Sequence, residues 1–212
     1  MRGRHRAVSF AAYTLGMKRT LLALLLAATT SLTAAQSGGT LNGLTVSGTV
    51  SGPLPAQARI GGFTMDPGGQ PVSELASVPV TGSRFSIDLP SVLPPQRTLV
   101  QLRPDAIFWP GVLEPVTVQG QASIAELRFY VYGDGNGNGR RDDTEGLQET
   151  SAFVGKSVLV VSFASSASQV GAARGFQANL KPGWNGLLID VGRAVKVTSS
   201  GTVNGVTVNT QR

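Results

Sequence analysis

Cysteine is absent from the chain. That excludes a disulfide framework, a thiolate metal centre and a lipid anchor through a lipoprotein-type cysteine. Histidine is nearly absent: the single one is His5, inside a segment read below as a leader. The rest of the chain therefore lacks a Ser-His-Asp triad, a Cys-His pair and histidine-ligated zinc or iron. Carboxylates, lysine, arginine, tyrosine and hydroxyls are what remain for chemistry. Charged residues are also sparse, at 14% against 41% hydrophobic ones, so a packed core is within reach. The 27 glycines and 12 prolines fall short of a disordered low-complexity chain but leave little room for helices.

The first 35 residues are set apart from the rest. Met17-Lys18-Arg19 is a short basic start, Leu21 to Ala28 an apolar run, and Thr33-Ala34-Ala35 a small-residue cleavage site. Basic, apolar and small blocks in that order are the layout of a secretory signal peptide. Met17 is a second candidate start beside Met1. The apolar run is far shorter than the ~20 residues of a membrane span. The expectation is export, to the extracellular space, the periplasm or the cell envelope, with no membrane span in the mature chain. Cleavage after Ala35 is expected, so the intact mass of protein recovered outside the cytoplasm should correspond to a chain beginning at Gln36. Full-length chain retained in the cytoplasm would rule this out.

Five of the 18 basic residues (Arg2, Arg4, Arg6, Lys18 and Arg19) lie in that leader, which leaves 13 against 12 acidic residues, a net charge of +1. The 13 are scattered, so nothing electrostatic points to nucleic acid.

The remaining chain reads as strands. Leu44, Val46 and Val50 alternate with Thr45, Ser47 and Thr49, the period-2 pattern of a half-buried strand. Ile60 to Met65 reads as a second strand, ending at the turn Asp66-Pro67-Gly68-Gly69. Phe85, Ile87 and Leu89 alternate with Ser86 and Asp88. Further strands are expected near 97–103, 112–119, 124–132, 174–180, 186–191, 193–198 and 202–208, and Val158 to Val161 reads as a strand buried on both faces. Many short strands with frequent turn signals predict an all-β fold, an antiparallel β-sandwich with two lobes dividing near residue 120. From Leu44 to Leu89 the pattern (Ser47-Gly48-Thr49-Val50, then Phe85-Ser86-Ile87) resembles the prealbumin-like and carboxypeptidase-regulatory-like sandwich modules of secreted proteins. The run Asn42-Gly43-Leu44-Thr45-Val46 recurs as Asn204-Gly205-Val206-Thr207-Val208; two copies of a turn followed by a strand need no duplication to explain them.

One motif carries chemistry. Residues 134–145 read Asp-Gly-Asn-Gly-Asn-Gly-Arg-Arg-Asp-Asp-Thr-Glu and satisfy the pattern D-x-[DN]-x-[DN]-G-x5-E throughout. Calcium takes six to eight hard oxygen ligands at loose geometry, and a loop of this kind delivers them at fixed spacings. Asp134, Asn136 and Asn138 would offer side-chain oxygens and Arg140 its backbone carbonyl. Asp142 would act directly or through water, and Glu145 with both oxygens; Gly139 takes the sharp turn. A bare hairpin tip, for which Asn-Gly is well suited, needs no Glu145 at the last position. It also leaves unexplained why Asp134, Asp142, Asp143, Glu145 and Glu149, five of the 12 acidic residues, crowd together, since such crowding repels itself without a cation. The loop resembles those of the EF-hand family, specifically the EF-hand-like loops inside bacterial extracellular modules such as dockerins and the calcium-binding B-type repeats of surface adhesins. Two departures stand out. The approach alternates Leu127, Phe129 and Val131 with Arg128, Tyr130 and Tyr132, which is a strand and not a helix. Position eight is Arg141, where paired EF-hands carry an apolar residue. Together they predict a loop grafted rigidly on a sheet rather than a sensor that opens.

The function expected is thus a non-catalytic structural or binding module stabilised by calcium, its partners the calcium ion and a cell-surface glycan or protein. Trp109 and Trp184 beside Pro-Gly turns offer an alternative, a carbohydrate-binding protein stacking a sugar on an exposed indole, although packing inside is the simpler role for both. A carboxylate-dependent hydrolase is a third reading, but the densest carboxylates belong to the loop, and nothing in the sequence brings Asp88 to Asp105.

Overall fold

The computed structural model describes residues 40–210. The expected leader, its expected cleavage point and Gln36 lie outside the described residues. The described residues gather into one compact unit. The architecture is all-β, with fourteen strands: β1 (Leu44–Ser51), β2 (Ala58–Met65), β3 (Pro71–Pro79), β4 (Arg84–Leu89), β5 (Val100–Gln101), β6 (Thr117–Gln119), β7 (Ser123–Gly133), β8 (Gln148–Val154), β9 (Ser157–Ala164), β10 (Ser168–Gly171), β11 (Gln177–Leu180), β12 (Gly183–Val191), β13 (Val195–Ser200) and β14 (Thr202–Thr210). Short 3-10 turns at Gln96–Thr98, Pro104–Ala106 and Ala173–Gly175 take the place of strand that the sequence led us to expect at 97–98 and 174–175.

Eleven strands form one sheet, in the order β13-β12-β9-β7-β8-β14-β1-β4, with β2 and β5 also pairing β7 and β3 pairing β2. It is mixed rather than wholly antiparallel, because β1 and β14 run parallel. The sheet curls until it nearly closes into a barrel. Strands from all round it meet on one apolar cluster: Leu44, Val46 and Val50 of β1, Ile87 of β4, Leu127 and Val131 of β7, Phe163 of β9, Trp184 of β12 and Val206 and Val208 of β14. The right-handed twist of adjacent strands accumulates across a sheet this wide, and curling is one of the ways such a sheet relieves it.

A second sheet, β11-β10-β6, covers another cluster, in which Val170, Phe176 and Leu180 meet Ile124, Leu187, Ile189 and Trp109. Residue 120 does not separate the two clusters into successive halves of the chain, since β7, β9 and β12 supply both. In β9, Leu159 and Val161 are buried against the first cluster, while Val158 and Val160 are half-buried and Val160 packs on the second. The two similar runs near the termini lie in neighbouring strands: Thr45-Val46 sits beside Thr202-Val203, and Thr49-Val50 beside Thr207-Val208.

Candidate functional site

The strand expected before the loop is present: β7 ends at Gly133, one residue before Asp134. After the loop the chain returns as β8, paired to β7 at Tyr130↔Glu149 and Val131↔Gln148. Toward the loop both faces of β7 are buried, whereas Glu126 and Arg128 earlier in the strand are partly exposed. Leu127, Phe129 and Val131 point into the curled sheet. Tyr130 and Tyr132 point the other way, against Phe63 and Met65, and Leu147 from the end of the loop packs on them. Phe63 meets both tyrosine rings edge to face, with centroids 5.5 and 6.4 Å apart. This satellite cluster is the floor on which the loop rests.

Three residues of β2 and β3 fasten the loop to that floor. Ser77 Oγ donates to the Gly139 carbonyl at 3.0 Å. Glu74 accepts the Arg141 backbone N–H at 3.0 Å through one oxygen and the Tyr132 hydroxyl at 2.6 Å through the other. Arg59 Nη1 stands 3.7 Å from Asp134 Oδ2. Burial, then the hydrogen bond to Glu74, push the Tyr132 phenol up to about 12, against smaller opposing effects of Ser77 and Arg59. Arg59, Glu74 and Ser77 were not legible as site residues in the sequence.

Within the loop the motif residues are joined to one another. Asp134 Oδ2 accepts the Gly139 N–H at 2.9 Å, which Gly139 allows by turning at φ +80°, a conformation open to glycine at little cost. Glu145 accepts the Gly135 and Asp142 N–H groups, one on each oxygen, at 2.8 and 2.9 Å, and so ties the two ends of the loop together. Asn136 Oδ1 accepts from Asn138 N at 3.0 Å, and Asn138 Oδ1 from Arg140 N at 2.8 Å. Both asparagine amides donate through Nδ2 to the same oxygen of Asp142, at 2.5 and 2.9 Å. Asp134, Asn136, Asn138, Asp142 and Glu145 are thereby held in one folded loop, with Arg140 in its chain.

One atom has no place in that network. Asp134 is buried, at 5% exposure, and its Oδ1 has no hydrogen-bond partner. A carboxylate oxygen shut away from water without a partner costs on the order of 1–3 kcal/mol or more, and a cation would remove the cost. The donor set suits a hard one, being carboxylate, amide and carbonyl oxygen without nitrogen or sulfur. Among the described residues no three His, Cys, Asp or Glu side chains converge closely enough to form a metal centre by themselves. The three carboxylates of the loop, Asp134, Asp142 and Glu145, are instead turned to separate partners, Asp142 to the two asparagine amides and the other two to backbone N–H groups. Turning each amide about its Cβ–Cγ bond would present Oδ1 where Nδ2 now donates to Asp142. The expense is two hydrogen bonds apiece, the turn bond and the bond to Asp142, which a cation between the oxygens would have to offset.

The other candidate groups are dispersed. Trp109 and Trp184 are 7% and 1% exposed, so neither indole offers a face to a sugar. Each sits in a core, Trp109 stacked with Phe176 and Trp184 edge-on to Phe163. Among the described residues a highly exposed aromatic is instead Phe108, at 88%, which sequence pattern did not single out. Asp88 accepts the Thr45 hydroxyl and Asp105 pairs with Arg103. Glu126 and Glu149 flank Arg128, at 2.7 and 3.7 Å, and with Glu126 as the main cause they raise its already high pKa. No helix of the described residues is long and apolar enough to cross a membrane.

No family model, curated protein or solved structure matches the chain.

Proposed function

We propose that the protein is an exported, non-catalytic structural or binding module of the extracellular space or cell envelope, and that its β7–β8 loop holds a calcium ion. The observation that carries this reading is the partnerless, buried Oδ1 of Asp134, at the first position of a loop whose every specified residue fits a calcium pattern. Asp134, Asn136, Asn138, Asp142 and Glu145 would supply side-chain oxygens and Arg140 a carbonyl. The ion's contribution is structural: it neutralises the crowded carboxylates and fixes the loop on β2 and β3. The leader-like start supports export, and extracellular calcium is abundant enough to fill a weak site.

Thermal melts in calcium and in chelator test the proposal. Extracellular calcium sites bind at ~10⁻⁴–10⁻³ M. A dissociation constant of ~0.1 mM with ~2 mM free ion gives about 1.8 kcal/mol of stabilisation, which for a domain of this size is a rise of about 5 °C in Tm. Magnesium should do much less, because it dehydrates reluctantly and demands strict octahedral geometry. Asp134→Ala and Glu145→Gln should each remove most of the rise. Wild-type melts that coincide in calcium and chelator would reduce residues 134–145 to an ordinary connection.

A further inference from the structure

The loop's surroundings contain a cation already. Arg59 lies on β2 directly across from Tyr132 on β7 and Pro79 on β3, so its side chain shares the face on which the loop rests. It is not a loose surface arginine: the side chain is only 16% exposed. Nε donates to Ser77 Oγ at 3.3 Å, and Nη2 reaches the Ser77 carbonyl and hydroxyl at 3.2 Å each. The remaining arm, Nη1, stands 3.7 Å from Asp134 Oδ2. The guanidinium also lies against the sharp turn, 3.8–3.9 Å from where a Cβ on Gly139 would be. Ser77 completes the fixture by donating to the Gly139 carbonyl.

We propose that Arg59 sets the affinity of the calcium loop: it is a fixed internal counter-charge that partly neutralises Asp134 when no ion is bound and keeps calcium binding weak when one is. The inference rests on the calcium reading of the loop. Its physical basis is simple. The guanidinium stands 3.7 Å from Oδ2 of Asp134, which also accepts the Gly139 N–H, while Oδ1 is the atom left without a partner. With a calcium–oxygen distance of about 2.4 Å beyond the 3.7 Å ion pair, a divalent ion on Oδ1 would sit on the order of 6–7 Å from a fixed positive charge. Even at the dielectric constant of water that repulsion lowers affinity about tenfold, and more in a drier setting. Arg140 also carries a positive charge in the loop, but its side chain is exposed, so solvent and salt screen it. Glu74, on the same face, is engaged by Tyr132 and by the Arg141 backbone and leaves Asp134 to Arg59.

Calorimetric titration with calcium chloride, on the wild type and on Arg59→Gln, Arg59→Lys and Arg140→Gln, tests this, with melts of each in chelator. Arg59→Gln should bind calcium about tenfold more tightly, melt lower than wild type in chelator, and gain more from calcium. Arg59→Lys keeps the charge and should stay within about twofold of wild type, and Arg140→Gln should tighten binding by no more than about threefold. The tenfold ratio between Arg59→Gln and wild type should shrink as potassium chloride rises from low to high concentration, which a merely structural role of Arg59 would not produce. Where the glutamine variant does not fold, Arg59→Met, with a stem of similar length, takes its place. A wild type that binds calcium while the Gln or Met variant binds with equal or weaker affinity would overturn the role of Arg59 and leave the calcium site standing. A wild type that does not bind would overturn both.

Discussion

Gly48→Ala is expected to destabilise the protein by about 3 kcal/mol, the upper end of what an overpacked interior side chain costs. Gly48 is in β1, which pairs with β4 on one side and β14 on the other. Along β1 it has the inward parity of Val46 and Val50, yet it carries no side chain, and the reason is on β14. The parallel register slips by one residue between Val46 and Gly48, and that slip brings the Val206 backbone against Gly48. A Cβ there would overlap the Val206 carbonyl. The obstacle is backbone, so the strands must part, and the pairings from Gly48↔Val206 to Ser51↔Asn209 part with them. Gly155, in the turn from β8 to β9, is the control. Its φ is +58° with nothing within 4 Å of an added Cβ, so alanine there meets only left-handed backbone strain, about 1–2 kcal/mol. Urea denaturation of both variants should show Gly48→Ala losing distinctly more. Equal losses would mean that β1 and β14 accommodate a methyl, and that their close approach does not hold the sheet together.

That bulge shows why one part of the fold was legible and another was not. Strands with clean alternation over a one-sided core, such as 44–50 and 85–89, stood out because each inward residue lands on the same cluster. β3 did not. It lies between Pro71 and Pro79 and pairs only with β2, and a register shift falls where Ala76 faces Gly62 but Glu74 faces Phe63. Leu75 is the extra residue, and Leu75, Ala76 and Val78 all pack toward the core, so the period-2 pattern breaks in mid-strand. The break is what puts Glu74 and Ser77 on the outer face, under the loop. The loop's own residues were legible because their spacing is local. Arg59, Glu74 and Ser77 lie 75, 67 and 62 residues from the loop atoms they serve, and only tertiary pairing brings them there. β8 and β10 were missed for a plainer reason: Gln148-Glu149-Thr150-Ser151 and Ser168-Gln169 hold too few apolar residues to show a period. Parallel pairing of β1 with β14 cannot be read from either strand alone.

The pH dependence of stability should expose the fixture beneath the loop. Tyr132 has an ordinary phenol pKa near 10 in the unfolded chain, against about 12 in the folded protein. Burial comes first among the causes, because a phenolate has no water here, and the hydrogen bond to the Glu74 carboxylate comes second, because it requires the proton. Below pH 10 both states hold that proton, and the group adds no slope. Between pH 10 and about 12 the unfolded chain releases it while the folded protein keeps it, so each rise in pH favours unfolding. The loss should begin above pH 10 and be complete near 12, amounting to about 2–3 kcal/mol. Tyr130 is also raised, again by burial first, and its share persists when Tyr132 is removed. Tyr132→Phe should therefore be less stable than wild type at pH 9, where a donor to Glu74 has been lost, and should lose about 2 kcal/mol less than wild type by pH 11.5. Glu74→Gln should fall between the two, since burial still raises Tyr132 while the charged acceptor is gone. Urea melts at pH 9 and 11.5 on the three proteins measure this, and ultraviolet titration of the phenols locates the midpoint. Curves for wild type and Tyr132→Phe that run parallel from pH 9 to 11.5 would mean that neither burial nor Glu74 holds the proton on Tyr132, and a Glu74→Gln curve that follows the wild type would mean that Glu74 takes no part. Glu74 would then serve the loop only through its other oxygen, which accepts the Arg141 N–H.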